Sequence, residues 1–139
     1  MGPRILVPVD GTELAERVIY RVEADIQMKP GNAEIVICNV RVPDVDEHER
    51  GEMTGKLIRQ VLTATTRGVR CRLEQVDADT VPEGICEIAE REQIDLIAMY
   101  TGSSRPPGER TQGSYSRMVS EDADCEVRVL DAHLKPGRC

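Results

Sequence analysis

The residues best suited to chemistry lie between Asp95 and Ser116. A short apolar run, Leu96 to Met99, is followed by a segment rich in Gly, Pro, Ser and Arg, which ends in small residues that could open a helix. In open α/β sheets ligands bind where loops leave the carboxyl ends of strands, and the free amides of a helix start attract anions. We therefore expect any small-molecule site of this protein to lie here.

The polar groups of this segment also have simpler interpretations. Arg105 and Arg110 could clamp an anion, but most surface charges are merely solvated. Gly113 and Ser114 could open a phosphate site or an ordinary helix. Asp10, which follows an apolar run near the amino terminus, could serve a ligand or cap the helix after it. The residue types alone leave these alternatives open.

Other catalytic and metal-binding patterns are weak. His48 and His133 are the only histidines, and neither lies near a nucleophile in a G-x-S-x-G motif. The acidic stretch from Asp44 to Glu49 lacks the spacing of a calcium loop, so we interpret it as a solvated loop without a metal. The five cysteines lack CxxC spacing, which favours buried reduced thiols for the first four and a frayed end for Cys139.

Length and charge narrow the class of protein. The 139 residues suit one domain, expected over 1–131, with a polar tail over 132–139. A net charge of −7 argues against a nucleic-acid partner, which requires a basic face. No run of 18 apolar residues is present, and the first residues do not resemble a secretory signal. We expect a cytoplasmic protein that does not enter membranes.

Apolar runs and helical periodicity alternate along the chain. The predicted strands are Arg4–Val9, Ala33–Val42, Val69–Val76, Asp95–Thr101 and Cys125–Leu130. Val69–Val76 alternates apolar and polar residues, which favours a sheet edge. The predicted helices are residues 12–28, a segment after the turn-like stretch Pro43–Arg50 that ends near Thr66, Val81–Gln93, and Gly113–Asp122. This alternation predicts a single α/β domain with a parallel sheet and helices on both faces.

The helical faces define the expected core. In the second helix Ile58 and Leu62 accompany the apolar face, and in the last helix Met118 and Val119 are expected to be buried. Thr80 and Glu83 form a capping-box pattern before the third helix.

The segment that begins Ile5-Leu-Val-Pro-Val-Asp-Gly-Thr, together with Asp95-Leu-Ile-Ala-Met, resembles the universal stress protein family. The resemblance covers about residues 3–131. It implies a doubly wound, adenine nucleotide alpha hydrolase-like fold with five strands in the order 3-2-1-4-5. It also implies a homodimer through the last strands, with Val127 and Val129 at the seam.

Many members of this family bind ATP through Gly, two residues, Gly, nine residues, and Gly followed by Ser or Thr. Aligned on Asp95–Met99, the spacing is kept, but Tyr100 and Ser103 stand in place of the first two glycines. The resemblance implies Asp10 near the nucleotide sugar, Val40 and Met99 as contacts, and the last helix start at the phosphates. The candidate nucleotide-binding residues are Pro8, Val9, Asp10, Val40, Met99, Tyr100, Thr101, Gly113, Ser114, Tyr115 and Ser116.

The expected function is that of a stress-response regulatory or binding protein with an unidentified protein partner and weak or no ATP binding. The alternative is a sensor in which ATP, AMP, cyclic AMP or another anion occupies the same pocket, with Mg²⁺ if ATP binds. We do not expect an enzyme. Slow nucleotide hydrolysis is a third possibility, but it lacks a positioned general base beyond Asp10.

Overall fold

The computed structural model describes residues 3–9, 18–24, 33–43, 47–66, 68–101 and 112–131. Over these residues the strands are β1 (Arg4–Pro8), β2 (Glu34–Arg41), β3 (Arg70–Asp77), β4 (Leu96–Thr101) and β5 (Glu126–Asp131). The helices are α1, described over 18–24, α2 (Glu47–Thr66), α3 (Val81–Arg91) and α4 (Gln112–Asp122).

The strands form one parallel sheet in the order β3-β2-β1-β4-β5. This confirms the predicted doubly wound fold and the predicted edge position of β3. Each strand boundary lies within one residue of its predicted position. Parallel strands need crossover connections, so the alternation of apolar runs with helical periodicity was sufficient to indicate the sheet type.

Two apolar layers cover the sheet, because successive side chains of a strand point to opposite faces. On one face Ile5, Val7, Ile35 and Ile37 pack with Val18, Ile19 and Val22 of α1 and with Leu57 of α2. On the other face Leu6, Val36, Cys38, Ile97 and Met99 pack with Ile85, Ile88 and Ala89 of α3 and with Val119 of α4. The helices therefore lie on both faces, as predicted.

Local signals account for the ends of two helices. The Thr80 hydroxyl accepts a hydrogen bond from the Glu83 amide at 3.3 Å and caps α3. Gly68 follows α2 with a φ of 85°, a left-handed conformation that glycine adopts without steric cost. Gln93 has a φ of 53°, so α3 ends at Arg91 rather than at the predicted Gln93.

Helix α2 corrects two predictions. It begins at Glu47, inside the stretch predicted to be a loop. Acidic residues are favourable in the first turn of a helix, and the His48 imidazole lies 3.2 Å from the Glu52 carboxylate one turn later. Ile58 and Leu62 are 47% and 60% exposed and do not join the core. The apolar stripe of α2 is therefore narrower than its composition suggested.

Burial corrects two further predictions. Val119 of α4 is fully buried, but Met118 is only half-buried. Among the first four cysteines only Cys38 is buried, whereas the other three (Cys71, Cys86 and Cys125) are partly exposed. Cys71 lies on the edge strand β3, and Cys86 and Cys125 line a surface pocket, so fewer atoms cover these thiols.

Several predictions concern residues outside the described part of the chain. These are most of the first predicted helix, Cys139, and the tail over 132–139. Among the described helices, none is both long and apolar enough to cross a membrane.

Candidate functional site

The carboxyl ends of β1, β2 and β4 lie at the same end of the sheet, and the strand order reverses between β1 and β4. Pairing of β1 with β4 is confined to Ile5 with Leu96 and Leu6 with Ile97. By contrast, β1 stays paired with β2 up to Pro8. Beyond Leu6, β1 thus remains paired with β2 but is no longer paired with β4. Doubly wound sheets bind ligands at the carboxyl ends of the two strands between which the strand order reverses.

Helix α4 brings backbone donors toward the same edge. It begins at Gln112, one residue before the predicted start, so Gly113, Ser114, Tyr115 and Ser116 form its first turns. A helix that joins two parallel strands runs antiparallel to them, which places its N-terminus near the carboxyl end of β4. The first turn contains no acidic residue, so no carboxylate competes there for an anion.

Met99, Tyr100 and Thr101 end strand β4, which lies between β1 and β5. Met99 is fully buried on the face covered by α3 and α4, and the backbones of Tyr100 and Thr101 pair with Leu130 and Asp131 of β5. The side chains of Tyr100 and Thr101, those of residues 112–116, and all of Asp10 and residues 102–111 lie outside the described part. The structure therefore places Pro8 and Val9 at the same end of the sheet as the last backbone residues of β4. The described residues do not test the predicted spacing of the nucleotide-binding glycines, which stays a prediction.

Val40 lies at the end of β2 on the face covered by α3. It is half-buried, and its side chain packs directly over Gly84 of α3. A β-carbon on Gly84 would stand 2.5 Å from Cγ1 of Val40 and 2.7 Å from Cγ2. Only a glycine allows α3 to approach β2 this closely. The residues around Gly84 do not indicate this contact, because its partner Val40 is distant in the chain.

Asn39 was also missed by the sequence analysis. It is a buried polar residue, 8% exposed, and it follows the four buried apolar residues Ile35 to Cys38 in β2. Its side-chain amide donates a hydrogen bond to the Val9 carbonyl at 3.2 Å, while the Val9 amide donates to the Cys38 carbonyl at 2.8 Å. A lone Asn within the apolar run Ile35–Val42 was the available signal, because buried amides need partners.

The strongest charge cluster lies at the opposite, amino-terminal end of the sheet. The Arg72 guanidinium contacts the carboxylates of Glu92 at 2.7 Å and Glu34 at 3.1 Å, and it also contacts Glu74. The hydrogen bond from Arg72 holds the pKa of Glu92 below its usual value, and Arg91 adds to this effect. These ion pairs join β2, β3 and the end of α3, so we interpret them as structural.

A pocket of about 220 Å³ lies at this same end, between α3 and the turn after α4. Its lining includes Cys86 and Cys125 with the carboxylates of Glu90, Asp122 and Asp124. Burial, and then the neighbouring carboxylates, raise the pKa of the Cys86 thiol, which disfavours the nucleophilic thiolate. Over the described ranges no group of three or more metal-ligating side chains converges, here or elsewhere. The pocket thus offers neither an activated nucleophile nor a metal centre.

Comparison with solved structures identifies relatives of the same fold. A universal stress protein from Archaeoglobus fulgidus superposes with a TM-score of 0.75 at 18% identity, over 94% of this chain and 100% of that one. Another structure from this organism, in complex with dAMP, gives 0.71 at 15% identity over 94% and 98% of the chains. A universal stress protein family protein from Arabidopsis thaliana with AMP bound gives 0.67 at 18% identity over 94% and 92%. At these identities the likeness establishes the fold.

The sequence itself carries the family assignment. No curated protein sequence matches this chain. The model of the universal stress protein family, however, matches residues 1–131, which include every described strand and helix. This chain belongs to the universal stress protein family.

Proposed function

We propose that this protein is a regulatory binding module of the stress response whose cleft at the ends of β1 and β4 binds adenine nucleotides weakly. The observation that supports this proposal is that β1 and β4, between which the strand order reverses, are not paired beyond Leu6. The start of α4 supplies backbone amides for phosphate near that edge.

The expected weakness comes from the loop that follows β4. Glycines at the first two positions of the family pattern let the backbone approach ribose and phosphates closely. Here those positions hold Tyr100 and Ser103. A phenol ring at the first of them would take space that the nucleotide needs.

The second candidate is a nucleotide or anion sensor in which the same pocket retains full affinity. Two observations favour it. Relatives of this fold were solved with dAMP and with AMP, and Gly113 and Ser114 are retained at the start of α4. In this case ATP would bind with Mg²⁺, and Tyr100 would line the pocket instead of filling it.

Calorimetric titration with ATP, AMP and cyclic AMP, with and without Mg²⁺, separates the two candidates. We expect no more than weak binding by the unaltered protein and tighter binding by a Tyr100→Gly/Ser103→Gly double variant. Tyr100→Phe is the matched control, because it removes the hydroxyl and keeps the ring. Micromolar binding by the unaltered protein would instead support the sensor. If neither protein bound any nucleotide, the proposed pocket would be wrong.

We further propose that the protein is cytoplasmic, acts as a homodimer, and is not an enzyme. Strand β5 is an edge strand of the sheet, and Val129 on it is 43% exposed, while Val127 packs partly against the core. An edge strand with an exposed apolar residue can pair with a second copy.

Light scattering should give a dimer, and Val129→Lys should give monomers. A monomeric unaltered protein at high micromolar concentration would exclude the dimer. A coupled assay should detect no ADP release.

A further inference from the structure

Asn39 links the end of β2 to the end of β1. Its side chain is 8% exposed, and the preceding residues Val36, Ile37 and Cys38 are no more than 1% exposed. A carboxamide in such surroundings costs free energy unless its polar atoms are paired. Its Nδ2 atom donates to the Val9 carbonyl at 3.2 Å, so the amide links β2 to the residue that follows β1.

The hydrogen bond completes a clamp on one residue. The Val9 amide donates to the Cys38 carbonyl at 2.8 Å, and the Val9 carbonyl accepts from Asn39. Val9 lies one residue beyond β1, and its side chain is buried at 6% exposure. Strand β2 therefore binds both the backbone amide and the backbone carbonyl of Val9, beyond the part of β1 that is paired with β4. This clamp fixes the position of Val9 at the carboxyl end of β1.

From this geometry we infer that Asn39 is a positioning residue for the nucleotide site. The inference rests on the proposed function, in which the nucleotide cleft lies at the ends of β1 and β4. By binding the Val9 carbonyl, Asn39 fixes the carboxyl end of β1 at that cleft. The adjacent residue, Val40, points to the opposite face and packs over Gly84. Consecutive residues near the end of β2 thus contact two different segments, the end of β1 and helix α3.

The test compares two substitutions that each remove a side-chain hydrogen-bond donor. Asn39→Leu is nearly isosteric and leaves the Val9 carbonyl without its donor. Arg72→Leu is the control, because Arg72 contacts Glu34 at 3.1 Å and Glu92 at 2.7 Å at the amino-terminal end of the sheet, opposite to Val9. Each variant is made in the native chain and in the Tyr100→Gly/Ser103→Gly background. Calorimetry with AMP and ATP then gives affinities, and the ¹³C shift of the Val9 carbonyl reports its hydrogen bond.

We expect Asn39→Leu to weaken nucleotide binding by roughly threefold to tenfold, the range that one lost hydrogen bond corresponds to. The Val9 carbonyl shift should move in the same variant. Arg72→Leu should also lower the melting temperature and should leave both the affinity and the Val9 shift unchanged. A purely structural role for Asn39 would lower the melting temperature without changing affinity.

Two results would overturn the inference in distinguishable ways. If a folded Asn39→Leu protein binds nucleotide within twofold of its parent, Asn39 does not position the site, while the proposed function stands. If no background binds nucleotide, the proposed function fails and the inference fails with it. Should Asn39→Leu not fold, Asn39→Ser replaces it, because the shorter serine hydroxyl does not reach the Val9 carbonyl.

Discussion

Substitution of Gly84 by alanine tests whether the close approach of α3 to β2 sets the position of Val40. The added β-carbon would lie 2.5 Å and 2.7 Å from the two methyl carbons of Val40 and 3.1 Å from its Cβ. Rotation about χ1 can turn only one of the two methyl groups away, and Cβ stays at 3.1 Å, so rotation relieves only part of this overlap. Either α3 or the end of β2 must move.

Two opposing contributions determine the magnitude. Alanine in place of glycine inside a helix contributes about 1 kcal/mol of stability. Overpacking of a filled core costs about 1–3 kcal/mol. We therefore expect Gly84→Ala to lower the free energy of unfolding by about 0–2 kcal/mol, whereas helix propensity alone predicts an increase. In a chain of this size a loss of 1 kcal/mol lowers the melting temperature by roughly 4 °C.

Gly55 provides the matched control, because it lies in α2 and a β-carbon added there would meet no atom of another described element within 4 Å. Gly55→Ala should raise stability by about 0.5–1 kcal/mol. Urea unfolding followed by far-ultraviolet circular dichroism measures both variants. Adding Val40→Ala to Gly84→Ala should relieve the overlap and give a favourable coupling of about 1–3 kcal/mol in a double-mutant cycle.

The reasoning would be refuted if Gly84→Ala stabilised the protein as much as Gly55→Ala. It would also be refuted if the double-mutant cycle showed no coupling between Gly84 and Val40. The family resemblance implies Val40 as a nucleotide contact, so we expect Gly84→Ala to change affinity as well. Gly55→Ala should leave the affinity unchanged.

Three further predictions concern single side chains. Arg72→Leu should cost about 1–2 kcal/mol at pH 7 and less at pH 3, measured by urea unfolding. The reason is that the lowered pKa of Glu92 stabilises the fold above its unfolded pKa, and this contribution is lost as pH falls through the folded pKa. Thr80→Ala should cost about 0.5–1 kcal/mol through loss of the α3 cap. Burial raises the pKa of Cys38 to about 12, so its native thiol should label with a disulfide reagent at pH 8 roughly a thousandfold more slowly than in urea.

Each of these has an outcome that contradicts it. An Arg72→Leu cost that is the same at pH 3 and pH 7 would show that the Glu92 carboxylate does not carry the effect. A Thr80→Ala protein as stable as its parent would exclude the cap. Rapid native labelling, assigned to Cys38 by its loss in Cys38→Ser, would show that the thiol is reached without unfolding.

The limits of the sequence interpretation are clearest in α2. Glu47 and His48 are polar and follow Pro43, a composition typical of a loop, yet they open the helix. Ile58 and Leu62 continue the apolar periodicity of α2, yet they face solvent. Periodicity indicates which side chains share a face, but the width of the buried stripe depends on how the helix rests on the sheet.

The alternation of apolar runs with helical periodicity was enough to determine the type and order of the elements and the parallel sheet. The reason is that both patterns are local, and parallel strands require crossover helices. The resemblance carried by the first and fourth strands added the family and the strand order. Only the tertiary structure decided the contacts of Asn39 with Val9 and of Gly84 with Val40, and the parting of β1 from β4. These depend on register and packing between segments distant in the chain, which no local spacing encodes.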